Sequence, residues 1–400
     1  MTAARALALP RSRARFRPGA TVRVALAFPP GHVRTPLFLR GKIGIIERIH
    51  GAFPNPERLA YGMHGEPALT RADEVVAVID SERAGRTCQD CVGTGGDIPV
   101  VAGLEAAASL DADTLLLGTA PQGGGLPESW RHFVAGALMR GWDVISGLHV
   151  FLADDAELAA LAASKGCRIH DVRRPPAART IAARRVASTE ALVVLTVGSD
   201  CNVGKMTTAL ELYAELQGRG ARVAFVATGQ TGILVADQGA AIDAIPADFV
   251  AGAVEKLVLD AAREADIVLV EGQGAIHHPA YSGVTLALMH GACPEALILC
   301  HQAGRTHMKL SDAAPAPRMR SLSEIIRDNE RAAGWVRTAS VLGLALNTMT
   351  LDDLEAKRAL ETTQQLTGVP TVDPVRFGAE VLATELLRRL DERKRRASNE

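Results

Sequence analysis

Ten consecutive residues, Gly198-Ser199-Asp200-Cys201-Asn202-Val203-Gly204-Lys205-Met206-Thr207, combine the types that hold a phosphate group. Glycines allow a tight turn in which successive backbone N–H groups converge on one point, and Lys205 adds a compact positive charge. A helix starting at Lys205 would add the partial positive charge of its N-terminus. The loop is one residue longer between its glycines than the usual phosphate loop, and Met206 stands where Ser or Thr normally holds Mg²⁺. Thr207 is the nearest hydroxyl that could take over that duty, and Asp200 could orient the loop backbone.

A second acidic position follows an apolar run. Asp266–Val270 delivers Glu271, then Gly272, Gln273 and Gly274, to the end of a predicted strand, where open α/β sheets bind ligands. Glu271 is a candidate metal ligand or general base; a solvated capping carboxylate is the plainer alternative. His301 and Arg305 follow another apolar run, Ala296–Cys300. His301 is a second candidate base, and the planar fork of Arg305 suits a substrate carboxylate. His277, His278 and His301 would equally serve to bond backbone carbonyls at strand ends.

These residues need a frame that brings strand ends together. Leu192–Val197, Arg222–Ala227, Asp266–Val270, Ala296–Cys300 and Val341–Leu346 are continuous apolar runs, the pattern of parallel strands buried on both faces. After the loop, Met206, Ala209, Leu210, Tyr213 and Leu216 repeat at helical spacing, with Gly218 and Gly220 to end the helix. The unit reads strand, phosphate loop, helix, strand. Upstream, Glu74–Ile79 and Thr114–Gly118 alternate with helix-like Trp130–Met139 and Ala156–Ala163, predicting a smaller parallel α/β domain. Gln122–Gly125, following the second of these strands, reads as a turn or a second ligand loop.

A chain of 400 residues exceeds what one core usually serves. Arginines and the Pro175-Pro176 pair between Val172 and Arg185 interrupt the apolar rhythm and predict a linker. The expected domains are a frayed N-terminus over 1–20, an α/β domain over 21–171, the linker over 172–185, a phosphate-loop α/β domain over 186–390, and a frayed end over 391–400. The first stretch carries Arg5, Arg11, Arg13, Arg15 and Arg17 without acids, but too little Ser for a transit peptide.

A formal net charge of -1 supplies no global field for nucleic acid, and no apolar run is long enough for a membrane helix. Six cysteines are too few for a disulfide scaffold, which fits a cytoplasmic protein; a homo-oligomer is the expected assembly. Cys88 and Cys91 form a C-x-x-C without the second ligand pair that a zinc site needs, so no metal is expected.

The loop itself is similar to that of dethiobiotin synthetase, Gly-x-Asp-x-x-Val-Gly-Lys, which implies Mg²⁺ and ATP, with Thr207, Asp200 and Glu271 around the metal. A longer resemblance runs through Ser199–Thr207, Ala227-Thr228-Gly229-Gln230-Thr231-Gly232, Asp248–Gly252, Glu271–Gly274, His278–Leu286 and Cys300-His301-Gln302-Ala303-Gly304-Arg305, with Pro121–Gly124 and Ser146–His149 upstream. In these motifs the chain resembles the family associated with D-glutamate N-acetyltransferase activity, formerly catalogued as a domain of unknown function. That resemblance implies a Rossmann-like N-terminal domain ahead of a P-loop domain, acetyl-CoA as donor and a D-amino acid as acceptor. Coenzyme A carries phosphates that suit a Gly-Lys loop, and acyl transfer needs no Mg²⁺ between phosphates, which accommodates Met206. A Mg-ATP-dependent ligase or kinase and a nucleotide-binding regulatory protein remain the alternatives.

Overall fold

A computed structural model describes residues 43–46 and 75–397, apart from 93–94, 111, 119–124, 178, 237–238 and 311–315. The loop Pro121–Gly124 and the N-terminal stretch 1–20 lie outside the described residues. Two compact units meet in sequence between Val172 and Arg173.

The first unit holds strands β1 (Ile43–Ile46), β2 (Val75–Ile79), β3 (Val100–Val101), β4 (Thr114–Leu117), β5 (Asp143–Ser146) and β6 (Ile169–Asp171), in the order β3-β2-β1-β4-β5-β6. The expected parallel arrangement holds for β2 with β3 and for β4, β5 and β6, while β1 runs antiparallel to both neighbours. Leu115, Leu117 and Val144 meet Val134, Ala137 and Leu138 of the helix Glu128–Met139 in one core, because both elements turn their apolar side inward. The helix Ala156–Lys165 starts on the Asp155 side chain, which accepts from two backbone N–H groups, and ends at Gly166. Cys88 and Cys91 sit on one short helix as free thiols. Burial raises the Cys88 thiol pKa.

The second unit holds β7 (Leu192–Gly198), β8 (Val223–Val226), β9 (Ile267–Val270), β10 (Ala296–Gln302), β11 (Ser340–Asn347) and β12 (Thr371–Val372), all parallel, in the order β12-β11-β10-β7-β9-β8. The apolar runs are explained by burial on both faces. Val193, Leu195 and Val197 of β7 face one core, and Leu192 and Val194 face the other. Helices Ala247–Ala261, Ser282–Ala292 and Leu322–Gly334 cover the first face; Lys205–Gly218 and Glu380–Ala397 cover the second. The chain crosses from one side of β7 to the other between β9 and β10, so the strand ends at β7 form the crevice where such sheets bind ligands.

Two differences from the sequence expectations concern the ends of this unit. The stretch after Val172 is bolted down: Arg173 is 5% exposed and pairs with Asp243, and its guanidinium donates to Gln230 Oε1 at 2.8 Å. Further along, buried Glu255 accepts from the N–H groups of Ala183 and Arg185 and from the Arg185 guanidinium. Burial alone would raise the Glu255 carboxyl, but these donors hold it below its ordinary range. At the other end, the final helix continues to Ala397, through charged residues that read as frayed.

Candidate functional site

The end of β7 passes into the loop through Ser199, whose N–H donates to the Cys300 carbonyl at 3.0 Å and so ties the loop to β10. Asn202 and Gly204 take left-handed conformations at φ 55° and 103°, and Gly204 is the residue that leads into the helix. Val203 plugs into the core. The first hydrogen bond of the helix runs from Thr208 N–H to the Gly204 carbonyl, leaving the preceding N–H groups at its open end.

Lys205 is 7% exposed, folded back so that its Nζ donates to the Asp200 carbonyl at 2.8 Å. Burial pulls its pKa below the ordinary lysine value, opposed by Cys201, Cys300, Asp200 and Glu271. Met206 packs against the cluster of Ala209, Leu210, Phe225 and Ala227, so the position that usually binds Mg²⁺ is given to packing. Thr207 is half-buried.

Two distant segments, one with His278 and one with Arg305 and Lys309, converge on Asp200, which is 0% exposed. Its Oδ2 accepts from Lys309 N–H at 2.7 Å and lies 3.4 Å from the Arg305 guanidinium, which also donates to the Cys201 carbonyl at 2.8 Å. Among the described residues the Arg305 guanidinium, expected to meet a substrate carboxylate, contacts the loop itself at the Cys201 carbonyl and the Asp200 carboxylate. Asp200 Oδ1 has no hydrogen-bond partner among the described residues. Asp200, Cys201 and His278 are the one His/Cys/Asp/Glu grouping of metal-binding size among the described residues. His278 does not present a lone pair to it: Nδ1 accepts from Ala280 N–H at 3.2 Å, so Nε2 carries the proton and donates to the Lys309 carbonyl at 3.1 Å.

Glu271, at the end of β9, is 3% exposed and held on both oxygens. Oε2 accepts from Thr228 N–H at 2.9 Å and Gly229 N–H at 3.2 Å, and Oε1 from Gln273 Nε2 at 3.1 Å. Burial raises its pKa to about 7, against the lowering pull of those donors and of Lys205. The carboxyl is therefore poised to exchange a proton near neutrality. Gly272 lets β9 pass close to β7. A Cβ there would sit 1.6 Å from the Thr196 carbonyl oxygen, a backbone atom that cannot rotate away. Gly272→Ala is expected to cost roughly 3 kcal/mol or more, the upper end for overpacking; a thermal midpoint within a degree of the parent's would contradict this.

His301 sits at the end of β10, 8% exposed, with Nδ1 at 2.8 Å from Ser199 Oγ. Burial, followed by Arg305, lowers its pKa to about 4, so the ring is neutral across the physiological range. Buried Cys300 beside it is pushed up to about 11, chiefly by burial, which makes it a poor nucleophile. His277 lies apart from the loop residues' bonds, on Asp328 at 2.8 Å. The sheet thus brings the ends of β7, β8, β9 and β10 together around Lys205, Glu271 and His301. Two contributors were not singled out as site residues from sequence: Thr228 and Gln273, the donors that set Glu271. The quoted motifs Ala227–Gly232 and Glu271–Gly274 contained them, but a one-dimensional motif does not show who bonds whom.

No helix among the described residues is long and apolar enough to cross a membrane. Residues 180–383 match the family model described as domain of unknown function (DUF1611_C), P-loop domain, and residues 81–175 match DUF1611_N, Rossmann-like domain. Residues 6–70 match a different model, nitrile hydratase beta subunit, C-terminal. A protein from Tritonibacter scottomollicae named D-glutamate N-acetyltransferase is 41% identical over 283 residues, covering 71% of this chain and 84% of that protein. One of the same name from Pseudoalteromonas sp is 38% identical over 283 residues, 70% of this chain and 83% of that one. The crystal structure of a DUF1611 family protein from Anabaena variabilis aligns with a TM-score of 0.75 at 40% identity, covering 79% of this chain and 92% of that one. The chain therefore belongs to the DUF1611 family, with a Rossmann-like N-terminal domain and a P-loop C-terminal domain.

Proposed function

We propose that this protein transfers an acetyl group from acetyl-CoA to the amino group of D-glutamate or a related D-amino acid. The likeness to two relatives named for that reaction, extending over most of their length, carries the reading. The geometry supports it in three ways. The open helix end and Lys205 suit a phosphate of coenzyme A. Glu271, poised near neutrality, suits removal of a proton from the attacking amine. Met206, turned into the core, leaves the usual Mg²⁺ position without a hydroxyl, which matters little when no phosphoryl group is transferred.

In this scheme Glu271 is the base, Lys205 and the loop residues Gly198–Thr207 hold the donor, and Arg305 holds the loop. The amine attacks the thioester carbon, its proton passes to Glu271, and the departing thiolate leaves as free thiol. The reaction takes place in the cytoplasm, where reduced cysteines persist.

Purified protein is expected to release thiol from acetyl-CoA with D-glutamate in the presence of EDTA, and to prefer D- over L-glutamate. Turnover that requires ATP and Mg²⁺ would instead favour a ligase or kinase. Tight nucleotide binding without thiol release from any amino acid would favour a regulatory protein.

A further inference from the structure

Ser199 and His301 lie far apart in sequence, but β7 and β10 pair in parallel with Cys300 opposite Gly198, which sets the two residues side by side. Ser199 is 0% exposed, and its Oγ lies 2.8 Å from His301 Nδ1. Among the described residues, that nitrogen is the only hydrogen-bond partner of the hydroxyl. A buried hydroxyl must place its proton on an acceptor or leave a donor unmet. The Ser199 proton therefore points at Nδ1, and the neutral ring carries its own proton on Nε2. Nε2 has no acceptor among the described residues, and it is not one of the fully buried atoms without a partner, so it lies on the accessible side of the ring.

We propose that His301 is a fixed hydrogen-bond donor whose Nε2–H takes the carbonyl oxygen of the acyl donor, with Ser199 as the positioning residue that sets the tautomer. This rests on the acetyl-transfer reading and changes the part given to His301, from a second base to an oxyanion donor. As the amine nitrogen bonds to the thioester carbon, the carbonyl electron pair moves onto oxygen and is held by Nε2–H without proton transfer. Glu271 accepts the amine proton. The carbonyl then reforms, the carbon–sulfur bond breaks, and the thiolate recovers that proton.

The electrostatics agree with this division. Burial and Arg305, the charged group acting on the ring, keep the imidazole neutral, so it cannot act as an acid; burial brings Glu271 close to its working range from the other side. Two titratable groups with values pushed apart in this way take separate roles.

The test is nitrogen NMR of protein labelled at histidine, together with turnover of variants. The His301 signals are expected to show an unprotonated Nδ1 and a protonated Nε2 that do not titrate between pH 5 and 8. Ser199→Ala should mix the tautomers, and Ser199→Thr should restore the parent pattern. His301→Ala should lower kcat by about 10²–10³-fold, as loss of one oxyanion donor does, with the KM for acetyl-CoA changed by less than about threefold. A proton on Nδ1, titration in the ordinary histidine range, or an unchanged kcat for His301→Ala would each overturn the assignment. Absence of thiol release by the parent protein would sink the acetyl-transfer reading and the acyl oxygen with it, whereas a wrong tautomer would sink only the role of His301.

Discussion

Lys205→Ala loses affinity for acetyl-CoA by about 10- to 150-fold, because a charge-assisted contact to phosphate contributes roughly 1.5–3 kcal/mol. The structure sharpens what else to expect. Lys205 is buried, and its ammonium carries the desolvation cost that lowers its pKa. Removing it relieves that cost while giving up one hydrogen bond to the Asp200 carbonyl, so the thermal midpoint should stay close to the parent's. Lys205→Arg should not rescue binding, since the guanidinium is larger and the site is enclosed by Gly198, with Nζ 2.8 Å from where a Cβ on that glycine would be. Calorimetric titration decides the matter; an unchanged affinity for Lys205→Ala would remove the phosphate loop from the donor site.

Glu271→Gln lowers turnover by about 10²–10⁴-fold, the range for loss of a general base, while donor affinity changes little. Its raised pKa of about 7 gives the direction of the pH dependence. The base is ionised above that value, so turnover of the parent protein falls as pH drops through about 7, and the residual turnover of the variant lacks that limb. Stability runs the opposite way. A carboxyl whose folded pKa is raised contributes stability that is full below its unfolded pKa and is lost as pH rises through about 7. Glu271→Gln should therefore gain thermal stability relative to the parent at pH 8 and not at pH 4. If turnover is retained, Glu271 is not the base; if the variant instead loses Mg-dependent ATP binding, the phosphoryl-transfer alternative gains.

The strands of the second unit were legible because burial on both faces writes a continuous apolar run, and five predicted strands differ from the observed ones by a residue or two at their ends. Gly204 and Lys205 were legible because few other tasks need that pair before a helical stripe. What the sequence hides is how a side chain is spent. Arg305 shows its charge in sequence, but only the fold shows that the loop carbonyl at Cys201 and the carboxylate of Asp200 occupy it. His301 shows a ring; its tautomer depends on Ser199, a contact made by strand register over 102 positions. The antiparallel β1 escaped because a four-residue apolar stretch has no direction in sequence.

The buried carboxylate of Glu255 determines where the second unit can be cut. A fragment that starts after the proline pair and beyond Arg185 would strip Glu255 of the Ala183 and Arg185 N–H groups and of the guanidinium. It would also take Arg173 from Asp243. An uncompensated charge at a site 1% exposed costs about 3–5 kcal/mol, a large share of the stability of an ordinary domain. A separately folding P-loop half should therefore begin at or before Arg173, and a shorter fragment is expected in the insoluble fraction.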